Sequence, residues 1–181
     1  MKLFQTPILT AIGLTLCVGQ AALAQTDTTP VGAVDATIDG MSYSGETLDV
    51  ASEGTSTAEL RSFGPMTSIS IQAHDPKAEN IMHNVLGIEV SLMGSETPVS
   101  IMDASVSWWP EGMRSPFYLS EDSGTAPEIV FDTLSLENEN PAARGSFSAV
   151  VCRKEGMFSD SDLNDCLVVD GRFDTALRKA D

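Results

Sequence analysis

The chain has few basic residues and very few histidines. It contains 10 lysines and arginines against 26 aspartates and glutamates, with only two histidines, and its formal net charge is −16. So large an excess of negative charge opposes binding to nucleic acid or to anionic lipid through bulk electrostatics. The composition therefore predicts a solvated acidic surface and no nucleic-acid partner, and it favours basic partners.

Long apolar runs are absent beyond the first 24 residues. The one apolar stretch, 7–18, follows Lys2 and is followed by the small residues Ala22 and Ala24. A positive start, an apolar segment too short to cross a membrane and small residues before a cleavage point form the layout of a secretory signal peptide. We therefore predict a signal peptide over 1–24 and an exported chain, periplasmic or secreted, with no transmembrane segment.

Cysteine is also scarce, with three in the whole chain. Cys17 lies in the predicted signal, and lipid attachment there would need a small residue where the chain has Leu16, so we do not expect a lipoprotein. Cys152 and Cys166 remain as an even pair, which predicts a disulfide in an oxidising compartment. Their wide spacing, with no histidine nearby, argues against a redox or metal pair.

Catalytic motifs are missing. The sequence has no G-x-S-x-G elbow, no P-loop and no G-x-G-x-x-G, and two histidines leave little material for a nucleophilic triad. We therefore predict no catalytic residues and expect that the protein is not an enzyme. The 26 acidic residues always offer carboxylate pairs of the kind that glycoside hydrolases use, so a carboxylate-based hydrolase remains an alternative.

Alternation of apolar and polar residues predicts strands along most of the chain. The candidate strands are 34–39, 47–51, 58–63, 66–73, 86–92, 99–109, 116–120, 129–136, 144–153 and 166–177. One helix signal interrupts them, because Asp75 can cap a helix near 76–84 that begins with Pro76. We expect an all-β, antiparallel β-sandwich over 34–181, with a closed barrel as the alternative, after a flexible leader at 25–33.

The last two candidate strands fit together as a hairpin. One antiparallel register accounts for three pairs at once: Cys152 with Cys166, Phe147 with Gly171, and Phe173 with Gly145. An aromatic ring over a cross-strand glycine covers exposed backbone. Alternation then turns both phenylalanines toward the core and both cysteines toward the outer face, with the loop 153–165 between the strands.

This hairpin resembles the C-terminal end of small secreted bacterial β-sandwich domains of unknown function. The likeness is carried by the two G-x-F patterns, at Gly145 with Phe147 and at Gly171 with Phe173. The resemblance implies a sheet architecture and an envelope location. It implies no catalytic residues.

The main aromatic concentration offers a candidate ligand site. On a strand, adjacent tryptophans face opposite ways, which assigns Trp108 to the core and turns Trp109 outward. An exposed tryptophan beside Tyr118 and Arg114 could stack on a sugar ring or anchor a partner. The alternative is edge packing of Trp109 against the segment 113–118.

Two further patterns bear on metals. Asp160, Asp162 and Asn164 alternate as in the opening of an EF-hand loop, but the expected glycine and glutamate are replaced by Asp165 and Gly171. The pattern predicts at most a weak calcium site, and we expect no other cofactor.

The two histidines flank the predicted helix. His74 and His83, with Asp75 and Glu79, could ligate a metal, but no H-x-x-x-H or C-x-x-C spacing supports such a site. We expect both histidines to be surface residues beside a turn.

Together these features predict an exported acidic β-sandwich that acts by binding or by structural interaction in the cell envelope. Its partner would be an envelope or extracellular molecule. The first alternative is a carbohydrate- or calcium-assisted ligand-binding module, and the second is the carboxylate-based hydrolase.

Overall fold

The computed structural model describes residues 27–94, 99–114 and 116–180, and most of these residues lie in strands. The strands are β1 (Thr29–Ile38), β2 (Met41–Val50), β3 (Thr55–Ser56), β4 (Ala58–Phe63), β5 (Met66–His74), β6 (Val85–Met93), β7 (Ser100–Trp109), β8 (Phe117–Leu119), β9 (Glu128–Ser135), β10 (Ala142–Lys154), β11 (Asp162–Ala176) and β12 (Arg178–Lys179). The all-β class is confirmed. The predicted signal peptide, 1–24, lies outside the described residues.

The first hairpin is longer than alternation predicted. β1 begins at Thr29, so the second half of the expected leader at 25–33 belongs to a strand. The turn that follows has positive φ at both Asp39 (48°) and Gly40 (80°), the backbone of a tight two-residue hairpin. β2 accordingly starts at Met41, directly after the turn.

The helix predicted near 76–84 is wrong, because turns occupy this segment. Asp75 does accept bonds from the residues that follow it and forms one turn. Asn80 then accepts a bond on Oδ1 from the backbone N–H of Met82 at 2.9 Å, which starts a separate turn. Asn84 adopts a left-handed φ of 54°. Asparagine side chains that bond to the nearby backbone compete with a helix in this way.

All twelve strands belong to one mixed sheet. Neighbouring strands follow the order β12-β4-β5-β6-β7-β8-β10-β11-β1-β2-β3, and β9 pairs with β10 beside this path. The short β12 runs parallel to β4, whereas the other pairs are antiparallel. Long antiparallel strands lying side by side agree with the prediction from alternating segments that are separated by turns.

The sheet curls until β2 meets β5. Only Glu46 and His74 pair directly there. Beyond that pair, Thr57 bridges the two strands with hydrogen bonds of 2.7–2.8 Å. Toward β2, its backbone N–H donates to Leu48 O and its Oγ1 accepts from Leu48 N. Toward β5, its Oγ1 donates to Gln72 O and its carbonyl oxygen accepts from Gln72 N. Because one pair and one bridging residue replace a ladder, the sheet is not a clean barrel, and the two-sheet sandwich stays a prediction.

The C-terminal hairpin has the predicted register, with Phe147 opposite Gly171, Phe173 opposite Gly145, and the two cysteines opposite each other. Both rings are buried in the core, and a Cβ at Gly171 would lie 2.6 Å from Cζ of Phe147, so the ring requires glycine there. Cys152 and Cys166 form a disulfide. Cys152 is nevertheless fully buried, and it is its neighbour Val151, on the opposite face of β10, that belongs to the core cluster.

The core lies on the inward face of the curled sheet. Alternate residues of strands from both halves of the chain are almost completely buried, among them Val34, Ile69, Ile71, Leu86, Ile88, Val106, Val151, Val169 and Phe173. The period of two therefore assigns the intervening residues of β5, β6 and β7 to the opposite face. That outer face carries the candidate site.

Candidate functional site

A groove of about 330 Å³ crosses the outer face of β5, β6 and β7. The residues that line it on the strands include Gln72, His74, Gly87, Glu89, Ser107 and Trp109. These positions alternate with the core residues of the same strands, so the same pleat that builds the core builds this surface. We refer to this feature as the outer groove.

The floor of the outer groove is open because β6 has a glycine at its centre. Gly87 lies opposite Ser107 of β7 and beside Gln72 of β5. A Cβ at Gly87 would lie 2.5 Å from Ser107 Oγ. Any side chain here would push Ser107 aside and fill the space, so the depth of the groove depends on this glycine.

One wall of the outer groove is the indole of Trp109. Its Nε1 donates to Ser107 Oγ at 3.0 Å, and its ring stacks on Phe117 with centroids 4.4 Å apart and planes 19° apart. Phe117 is buried, so it holds the indole from behind. Trp109 is therefore half-buried: it packs against Phe117, within the segment expected from the sequence, and also lines the groove.

The turn beside Trp109 is held by Asn84. Asn84 Oδ1 accepts a bond from Trp108 Nε1 at 2.8 Å, and its backbone N–H donates to Pro110 O at 3.0 Å. Its Nδ2 donates to Asp75 Oδ2 at 2.8 Å. These bonds join the 75–84 segment to the turn that carries Met113, and both contribute to the groove.

Three methionines line the outer groove from three separate loops. Met82 comes from the 75–84 segment, Met113 from the turn after β7, and Met157 from the connection between β10 and β11. Their exposed fractions are 46 %, 76 % and 62 %. The third connection is the one that the disulfide closes, so the bond between Cys152 and Cys166 anchors the loop that supplies Met157.

His74 is the buried polar residue of the groove. It is only 6 % exposed, which corrects the expectation of a surface histidine. Its Nδ1 lies 2.6 Å from the carbonyl oxygen of Ile81, and its Nε2 is buried without a hydrogen-bond partner among the described residues. Burial lowers the pKa of His74, and the hydrogen bond to Ile81 only partly offsets this. The ring is therefore neutral at pH 7.

The charge of the groove is acidic. Among the described residues that line it, Glu89 is the one that carries a formal charge when His74 is neutral. Glu89 is exposed, and it lies on the same face of β6 as Gly87, two residues further along the strand. With no lysine or arginine among these lining residues, the groove offers an anion no counter-charge.

The other residues predicted for ligand binding lie elsewhere. Tyr118 lies against Trp108 with ring centroids 5.3 Å apart and planes tilted by 31°, and both rings pack against the core. Burial raises the pKa of Tyr118, and the nearby Asp165 adds to this effect. Arg114 is exposed in the turn after β7. Of the three, the structure brings Trp109 alone into the outer groove.

The predicted calcium residues lie in the disulfide-closed loop and at the start of β11. Asp160, Asp162 and Asn164 are all exposed. Asp162 Oδ1 accepts bonds from the backbone N–H of Asn164 at 3.0 Å and from its Nδ2 at 3.3 Å. Among the described residues, no three or more histidines, cysteines, aspartates or glutamates are grouped so as to hold a metal ion. Calcium binding at these residues stays a prediction.

Searches of protein-family models, curated proteins and solved structures find no match for this chain. Within the ranges that the structure describes, no helix is long and apolar enough to cross a membrane. Any functional conclusion therefore has to come from the geometry and chemistry of the outer groove.

Proposed function

We propose that the protein is an exported, non-catalytic binding protein of the cell envelope, and that its ligand occupies the outer groove. Export is supported by the N-terminal pattern over 1–24, and a disulfide without a membrane-spanning helix in the described residues is compatible with it. We also propose that the two halves of the curled sheet pack together as a β-sandwich around their common core.

The observation that carries this proposal is the unpaired Nε2 of His74. A buried polar atom without a partner destabilises a protein by roughly 1–3 kcal/mol, and such atoms are rare in native structures. Here the atom belongs to a residue that lines a groove with an indole wall. An apolar groove with a few convergent polar groups is the usual form of a small-molecule site. A ligand that forms a hydrogen bond with Nε2 would remove this energetic cost.

The methionine rim supports the same conclusion. Met82, Met113 and Met157 place flexible thioether side chains around the outer groove. Methionine adapts to ligands of irregular shape and is common at binding surfaces. The rim is thus suited to close over the apolar body of a ligand.

Hydrolysis by a carboxylate pair receives no support from the groove. Such chemistry needs two carboxyl groups roughly 5 to 10 Å apart on either side of the substrate. Glu89 is the one carboxylate among the described residues that line the outer groove. We therefore keep the protein in the binding class.

Carbohydrate binding is a second candidate. Trp109 offers a partly exposed indole beside the polar side chains of Gln72, Glu89 and Ser107. Aromatic rings flanked by such polar groups can stack on a sugar. The contact between Trp109 and Phe117 already occupies one side of the indole, which leaves less aromatic surface for a pyranose.

Occupancy of the outer groove can be tested with two flat apolar probes, 2-naphthol and 2-methoxynaphthalene. We expect at least one to give saturable shifts in ¹H–¹⁵N spectra at the Trp109 indole and at Gly87. Gly87→Val should weaken this binding because the new side chain fills the floor. Gly156→Ala is the control, since a Cβ there would meet only Ser159 Oγ, at an ordinary van der Waals distance of 4.0 Å.

Binding that Gly87→Val does not weaken, or shifts that do not involve the groove, would refute the proposal. The melting temperature of each variant shows whether it is folded. If Gly87→Val does not fold, competition between the probes at the Trp109 indole of the wild-type protein provides the same test.

A further inference from the structure

We infer that the ligand of the outer groove is a largely apolar molecule with a hydroxyl or N–H group that donates a hydrogen bond to Nε2 of His74. This inference rests on the proposed function, and it specifies the class of ligand.

The first step is the tautomer of His74. Nδ1 lies 2.6 Å from Ile81 O, and a carbonyl oxygen can only accept a hydrogen bond. Nδ1 therefore carries the proton and donates. A neutral imidazole has one N–H, so Nε2 presents a lone pair. Only a donor can satisfy that atom.

The second step is the charge state of the ring. His74 is 6 % exposed, and burial disfavours the imidazolium form. If the ring were protonated, Nε2 would become a donor and would seek an acceptor. In the neutral ring a ligand that offers only acceptors gains nothing at this atom.

The third step is the rest of the lining. Trp109 and Val85 provide apolar surface, and Glu89 adds a second acceptor. No lysine or arginine lies among the described residues that line the groove. The ligand is therefore neutral or cationic, because an anion would meet acceptors and a negative charge without a compensating cation.

The fourth step is access to the buried nitrogen. The atoms that cover Nε2 must move before a ligand can reach it, since Nε2 has almost no exposed surface. Met82 lies in the same segment as Ile81, and 46 % of its surface is exposed. Its unbranched side chain has three rotatable bonds and can change conformation at little cost. Met82 lines the same groove as His74, so we propose that movement of this side chain gives a ligand access to Nε2.

The test compares three probes that differ at one group: 2-naphthol, which can donate, 2-methoxynaphthalene, which cannot, and 2-naphthoate, an anion. For the wild-type protein near neutral pH, we expect 2-naphthol to bind about three- to tenfold tighter than 2-methoxynaphthalene. The anion should bind weakest. The preference for 2-naphthol should disappear in His74→Leu while 2-methoxynaphthalene still binds.

His74→Gln is the conservative variant, because its amide can donate to Ile81 O and accept from the ligand. It should keep part of the preference for 2-naphthol. A third readout needs no variant: the ¹⁵N resonance of His74 Nε2 in the wild-type protein should move when 2-naphthol binds and stay in place with 2-methoxynaphthalene.

The outcomes separate this inference from the proposed function. Equal binding of 2-naphthol and 2-methoxynaphthalene to the groove would overturn the donor requirement and leave the binding function standing. Tighter binding of 2-naphthoate would overturn the requirement as well. Failure of every probe to shift the Trp109 indole would instead refute the binding function itself.

Discussion

Asn84 joins the two segments that frame the outer groove, so its substitution has a calculable effect. Asn84→Ala removes the acceptor of Trp108 Nε1 and the donor to Asp75, at about 1 kcal/mol for each hydrogen bond. It also places an alanine at a φ of 54°, which adds about 1 kcal/mol. We expect the free energy of unfolding to fall by about 3 kcal/mol.

Urea denaturation followed by tryptophan fluorescence measures this loss. Asn84→Gly removes the same two hydrogen bonds but tolerates the left-handed backbone, so it should be about 1 kcal/mol less damaging than Asn84→Ala. Asn138→Ala is the control, because Asn138 is exposed and among the described residues its side chain donates to the Ser135 hydroxyl alone, so the stability of this variant should stay within about 0.5 kcal/mol of wild type. Equal stability of Asn84→Ala and wild type would refute the role assigned to Asn84, and equal loss in the alanine and glycine variants would refute the backbone part.

Two further predictions concern pH and the disulfide. Because burial lowers the pKa of His74 in the folded protein, the unfolded chain binds the extra proton first, and stability should fall as the pH drops below about 6.5 toward the folded-state pKa. Urea midpoints of His74→Gln should fall less over the same window, and an equal fall in both proteins would contradict this account. Removing the disulfide in a Cys152→Ala/Cys166→Ala variant should lower the free energy of unfolding by about 3 kcal/mol, as expected for a loop of this length. An unchanged melting temperature would show that the bond does not restrain the chain, and two free thiols in the purified wild-type protein would show that it does not form.

Strands with regular alternation could be predicted from the sequence. β4 has the bounds that its pattern indicated, and the register of the C-terminal hairpin followed from where its cysteines, glycines and phenylalanines lie. The first half of β2 was missed because its residues are mostly small or polar, including Ser42, Ser44 and Gly45. The tight turn at Asp39 sets the pairing of β2 with β1. The first half of β2 is therefore a strand because of its neighbour β1 and not because of a hydrophobic pattern of its own.

The candidate site could be predicted only in part. The parity of Trp109 on its strand indicated an outward-facing ring, and that ring does line the groove. His74 shares its face with Gln72, which predicts the correct side of the sheet but not the burial of the ring. That burial depends on Ile81 and its neighbours folding back over β5, and no local pattern encodes a segment built from turns.

At the bridge made by Thr57, two of the four hydrogen bonds that close the sheet pass through a hydroxyl group. A strand ladder spreads its hydrogen bonds over many residues, so most side chains in it can be exchanged without breaking the backbone pairing. At this junction the side chain itself takes the place of a peptide group, both accepting and donating. Serine alone among the other small residues offers the same chemistry at the same reach, so fewer substitutions preserve the bridge at Thr57 than preserve the pairing within a ladder.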